Sequence, residues 1–171
     1  MGKLYFILEE VWLLSTLGAF QRANIYLPLV SDNDKKTFRN DLNIYINENL
    51  IPFYKKGVDD KEHLINIQQL SVFSKKYDYI LKGGKINFGI SQKLLNLYLK
   101  YLWCLEQIPT PPHFPVDSII QSKLGLKKIE PWTKFENPDD YLNIIAIAEK
   151  KRIELELQSL AQLELELFKR N

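Results

Sequence analysis

Two short stretches of this 171-residue chain hold residue types that do chemistry. The first is Phe88-Gly89-Ile90-Ser91-Gln92-Lys93-Leu94-Leu95-Asn96, a glycine turn that opens a helix with a lysine in its first turn. The second follows the proline-rich segment 108–115 and reads Pro115-Val116-Asp117-Ser118-Ile119-Ile120, with an aspartate where the next helix starts. A lysine amine is a nucleophile whenever it is neutral, and a carboxylate at a helix start accepts protons and is stabilised by the helix dipole. Charge gathers around both stretches. Residues 79–129 carry seven lysines (Lys82, Lys85, Lys93, Lys100, Lys123, Lys127 and Lys128) against Glu106 and Asp117, a net +5, so the near-balanced total of +2 leaves −3 for the rest of the chain. A polarised chain of this kind suits nucleic acid, because lysines that neutralise phosphates supply most non-specific affinity. His113 and Phe114, in the stiff loop leading to Asp117, and Trp132, in a loop beside the lysines, are candidates to line a substrate pocket. Two histidines and one cysteine form no recognisable zinc or iron–sulfur set, so no metal is expected.

Segments 87–96 and 115–126 together resemble the helix-hairpin-helix DNA glycosylases, whose hairpin reads approximately Pro-Gly-Val-Gly-x-Lys and whose following helix opens with Pro-Val-Asp. Phe88 and Ser91 stand where that family has its proline and second glycine, and the connector between the two motifs is longer here. The resemblance implies a phosphate held by the backbone N–H groups of Gly89, Ser91 and Gln92, with Lys82, Lys85, Lys127 and Lys128 as further DNA contacts. It implies Lys93 as a nucleophile on the sugar C1′ through a Schiff base, and Asp117 as the carboxylate that assists departure of the base. The expected activity is that of a DNA N-glycosylase, with AP-lyase activity through Lys93, acting on damaged or modified duplex or abasic sites without a cofactor. The same residues also suit a structural role, in which Asp117 caps a helix and Lys93 points to water. The alternative function is a non-catalytic DNA-binding module, or a protein-interaction module using the Leu/Glu-rich last helix.

Apolar residues recur at three- and four-residue steps and β-alternation is nearly absent, so the elements that position these residues should be helices. The spacing predicts an all-α, compact single-domain bundle of about six helices over residues 1–171, with a helix-hairpin-helix-like element within residues 83–125. The first helix is expected over Lys3 to about Ile25, ended by the Leu27-Pro28 pair. The second is capped by Ser31 or Asp32 and turns Phe38, Leu42, Tyr45, Ile46 and Phe53 inward. Asp59 and Glu62 have capping-box spacing before a helix that runs to Gly83-Gly84. A fourth helix is expected from about Ser91 to Glu106, a short one from about Val116 to Leu124, and a last one, capped by Asn137, from about 138 to 168. Cys104, within an apolar run, reads as buried, and a lone cysteine makes no intramolecular disulfide. Glu9 and Glu10 interrupt the apolar N-terminal stretch, which therefore reads as neither a membrane span nor a signal peptide, and a cytoplasmic protein is expected.

Overall fold

A computed structural model describes residues 2–168. It is all-α, and its centre is α5 (Phe88–Cys104), buried over most of its circumference as expected of a helix apolar nearly all round. Asn87 caps α5, its side-chain oxygen accepting from the Ile90 N–H at 3.0 Å, so the helix starts three residues earlier than expected and Gly89 lies inside it. α1 (Lys3–Phe20) packs along α5 through Trp12, which meets Tyr98 edge-on at 5.4 Å, and through Gly18, which lies against Leu97. α1 stops before Ile25 because the chain there pairs with residues 80–82. The Lys82 N–H donates to the Ile25 carbonyl and the Leu27 N–H to the Ile80 carbonyl, which ends the helix well before Pro28 can.

α2 (Asp32–Tyr45) is capped by Ser31, whose hydroxyl oxygen accepts from the Asp34 N–H, and buries Phe38 and Leu42. It continues into a π-helical turn, Ile46–Leu50, and the single turn α3 (Ile51–Tyr54). The wider turn rotates the chain by about one residue. Leu50 and Tyr54 therefore enter the core, while Phe53, expected inward, is 49% exposed. α4 (Asp60–Ser74) starts at the predicted cap, Asp59 accepting from the Glu62 N–H at 2.8 Å. It ends at Ser74, earlier than expected, in a 3-10 turn. There the Ser74 hydroxyl accepts from the Ile86 N–H and donates to the Ser71 carbonyl.

After α6 (Ser118–Lys123) and the 3-10 turn Trp132–Lys134, the expected single C-terminal helix is two helices, α7 (Asp139–Glu154) and α8 (Leu160–Leu167). The N-cap of α7 is Pro138, which has no capping side chain, rather than the expected Asn137; Asn137 lies one residue earlier and accepts from the Asp139 N–H at 2.9 Å. The break comes at Glu156, whose φ of 53° no helix accommodates, and Arg152 donates to the Leu157 carbonyl across it. Ser159 then caps α8 by accepting from the Gln162 N–H, while the Gln162 side-chain oxygen accepts from the Gln158 N–H. This Ser-x-x-Gln arrangement is a variant of the capping box, and it turns α8 back onto α7. Cys104 is exposed at the end of α5, because the final turn of that helix leaves the core. Among the described residues no helix is long and apolar enough to cross a membrane.

Candidate functional site

Gln92 assembles the site. Its side-chain amide accepts from the Val116 N–H at 3.1 Å and donates to the Val116 carbonyl at 2.7 Å, clamping the chain that enters α6 onto α5. The next residue, Asp117, is thereby set beside Lys93 one position along α5, and Lys93 Nζ lies 2.6 Å from Asp117 Oδ2. The other carboxylate oxygen, Oδ1, accepts from the Ile120 N–H at 2.9 Å, so Asp117 caps α6 and holds Lys93 at once. The Lys93 ammonium also sits 5.9 Å from the centre of the Trp132 ring, which is buried. Burial pushes the Asp117 carboxyl upward, but the Lys93 ammonium and the amides of Ile120 and Ile119 together outweigh it and hold the group below its ordinary value. Lys93 does not point to water. Its side chain is 9% exposed and that of Asp117 21%, which leaves one side of the carboxylate open.

A second buried pair stands two turns along α5. Lys100 Nζ lies 2.7 Å from Glu164 Oε2, and Glu164 reaches this position only because α8 folds back. Burial raises the Glu164 carboxyl against the pull of Lys100 and Lys93, with Asp117 adding to the rise. Two carboxyls within one charge cluster are thus pushed apart, Asp117 toward the ionised form and Glu164 toward the protonated one. Comparison of this chain with protein-family models, with curated proteins and with solved structures finds no match.

The remaining sequence candidates fall elsewhere. The Gly89 N–H donates to the Phe135 carbonyl at 2.9 Å, and Gly89, Ser91 and Gln92 are buried, so the expected phosphate cradle does not face solvent. The reason is packing. Segment 132–135 lies directly on the first turn of α5 and occupies the space a phosphate would need. Lys82 and Lys127 are exposed, Lys85 lies 3.8 Å from Glu136, and Lys128 pairs at the surface with Glu130 at 2.8 Å. Lys82 and Lys85 line a recess of about 230 Å³ with Asn87, Thr133 and Glu136. Trp132 anchors its loop in the core, and Phe114 is likewise buried there.

His113 belongs to a buried polar chain. Its Nδ1 lies 2.9 Å from the Tyr141 hydroxyl, to which Asn96 donates at 3.0 Å, and its ring meets His63 at right angles with centroids 4.9 Å apart. His63 Nδ1 in turn lies 2.6 Å from the Tyr54 hydroxyl. Burial first, and His113 second, hold His63 well below its ordinary value, so it is buried neutral. Burial also lowers His113, partly opposed by Asp60, whose carboxylate lies 3.5 Å from Nε2. The unfolded chain therefore takes up these protons before the native protein does, and stability falls as pH drops. From His63 alone the loss begins near its ordinary value of 6.5 and proceeds at about 1.4 kcal/mol per pH unit down to its depressed native value. Urea midpoints taken between neutral pH and about pH 5 check this. A flat profile, or one unchanged in His63→Gln, contradicts it.

Sequence reasoning passed over Glu164, Gln92 as a clamp, and Gln121. The last repeats the Gln92 device by bonding both the N–H and the carbonyl of Glu130. The available signal was a polar residue at an inward helical position. Glu164 lies beside Leu163 in the Leu160, Leu163, Leu167 stripe, and Gln92 lies within the apolar run of α5.

Proposed function

We propose that this chain cleaves an N-glycosidic bond in DNA, with Asp117 and Lys93 as its catalytic pair. The supporting observation is that a lysine in the second turn of α5 and an aspartate 24 residues on that caps α6 meet at 2.6 Å, with the carboxylate held ionised and partly open to solvent. An ionised carboxylate beside the sugar stabilises the positive charge that develops at C1′ as the bond to the base breaks and the base departs with the electron pair. In the resting pair Lys93 keeps Asp117 ionised. When Asp117 takes one ammonium proton, the freed amine can attack C1′; a second proton passes from that nitrogen to O4′ as the C1′–O4′ bond breaks, which leaves the protonated Schiff base of a lyase, and the proton on Asp117 goes to the departed base. Because the Gly89 N–H is already bonded within the protein, phosphate neutralisation in this reading rests on lysine side chains such as Lys82 and Lys127. The engagement of both Asp117 oxygens, one by Lys93 and one by the Ile120 N–H, favours a second reading, DNA binding by the surface lysines without chemistry.

Incubation with duplexes carrying a panel of modified bases or an abasic site, with and without borohydride, tests both readings. The expected result is base release that falls about 10²- to 10⁴-fold in Asp117→Asn, which keeps the helix cap, and a trapped adduct that disappears in Lys93→Met. Salt-sensitive binding without release or adduct supports the non-catalytic reading alone. No binding at low salt removes both.

A further inference from the structure

One turn of α8 engages two lysines of the basic segment at once. Lys100 stands near the end of α5 and Lys123 ends α6, and both meet the turn Glu164–Leu167. The Glu164 carboxylate lies 2.7 Å from Lys100 Nζ, and the Phe168 ring covers the same ammonium with its centre 4.0 Å away. The Leu167 carbonyl accepts from Lys123 Nζ at 2.6 Å. That carbonyl belongs to the last residue of α8, which no helical N–H reaches and where the helix dipole is negative. A carboxylate, a dipole end and an aromatic face thus meet two cations in the way a bound anion would.

Both lysines lie along helices that lead away from the Lys93–Asp117 pair. Lys100 is seven residues after Lys93 on the same face of α5, and Lys123 is six residues after Asp117 on α6, each about 10 Å away at 1.5 Å per residue. A nucleic-acid strand covers that distance in about three steps of 3.4 Å. Resting on the DNA reading of that pair, we infer that Lys100 and Lys123 are a phosphate site of the same strand, and that the last turn of α8 occupies it as a built-in competitor until the strand displaces it. The chain from Ile153 to Phe168 carries Glu154, Glu156, Glu164 and Glu166 and no cation, so an approaching strand repels this end of the molecule. Burial resists ionisation of Glu164 more than its cations favour it, whereas for Asp117 the balance is reversed, so the Lys100 contact is the weaker of the two buried pairs. Only the last turn has to move. Leu160 and Leu163 are buried and keep the rest of α8 in place, while Phe168 is 43% exposed.

Hydrogen exchange and binding of the full chain to a duplex carrying an abasic site test this. The expected result is several-fold faster exchange at the Glu166, Leu167 and Phe168 amides when the duplex is bound. Glu164→Gln keeps the shape and removes the charge, so it binds the duplex about 5- to 10-fold tighter at low salt, with a log–log salt slope steeper by about 0.9 for one more neutralised phosphate. Lys100→Met in the same chain cancels that gain. Phe168→Ala, at the surface, shifts affinity in the same direction by about twofold, and it decides the matter together with wild-type exchange should Glu164→Gln lose helical circular dichroism. Salt-sensitive wild-type binding that leaves these amides protected, with Glu164→Gln no tighter, overturns the competitor and leaves the DNA reading standing. A gain in Glu164→Gln that survives Lys100→Met also overturns it, because the effect is then one of net charge. No binding by either protein at low salt removes both.

Discussion

Asp117→Ala lowers the stability of the protein by about 3–5 kcal/mol, far more than the loss of a surface ion pair would. Two effects act together. Removing the carboxylate leaves the Lys93 ammonium, 9% exposed, without its 2.6 Å partner, and an uncompensated buried charge is the expensive half of any such pair. The substitution also strips the cap from α6, worth about 1 kcal/mol by itself. Lys93→Met with Asp117→Asn has no charge to strand and keeps a capping side chain, so this double variant stays close to the wild type. The contrast, read as urea midpoints, separates architecture from chemistry, because the stable double variant is expected to have lost base release and adduct formation. If Asp117→Ala costs less than about 1 kcal/mol, the pair is a solvated surface contact and the site is not assembled as described. The pH dependence has a definite sign. Because the native Asp117 carboxyl lies below its ordinary 3.8, its contribution is fully present above that value and is lost as pH falls through the depressed one. The acid-side decline between about pH 6.5 and pH 5 therefore belongs to the buried histidines, and the Asp117 contribution disappears only further down.

Gly89→Ala is the second large effect, at about 3 kcal/mol, the upper end of what overpacking does. A Cβ at this position would meet the Trp132 carbonyl oxygen at 1.8 Å and the Phe135 Cβ at 3.1 Å, and the first of these is backbone, which cannot rotate aside. Either α5 or segment 132–135 must move, breaking the Gly89 N–H bond to the Phe135 carbonyl and drawing the Trp132 ring away from Lys93. Gly18 gives the comparison. A Cβ there meets only Leu97 Cδ2, the far end of a flexible side chain, at 2.6 Å. A Gly89→Ala protein within about 0.5 kcal/mol of wild type, by the same urea measurement, would show that the loop does not rest on α5.

Gly89 also shows how a sequence motif can be located correctly and explained differently. A glycine just before a lysine at a helix start is what a phosphate-binding turn looks like, and it is also what a helix looks like where another backbone crosses it. The two differ only in what comes to lie against the glycine. Here that is a segment more than 40 residues away in sequence. Phe53 fails for a more local reason. A strict 3.6-residue period places it inward with Phe38 and Leu42, but the π turn at Ile46–Leu50 advances the phase and Tyr54 takes the place.

The sequence by itself determined the all-helical class, the cap at Asp59, a cap at either Ser31 or Asp32, and the prominence of Lys93 and Asp117. These follow from local rules, since periodicity, capping and a helix-opening acid depend on residues a few positions apart. Only the tertiary structure decided that Lys93 and Asp117 touch, that Gln92 is the clamp that makes them do so, and that α8 folds back to place Glu164 on Lys100. It also decided which cations are engaged inside and which remain at the surface. Those outcomes depend on contacts between residues 24 to 64 positions apart. A buried charge can be tolerated only where such a partner arrives, and the spacing of residues along the chain does not say which one will.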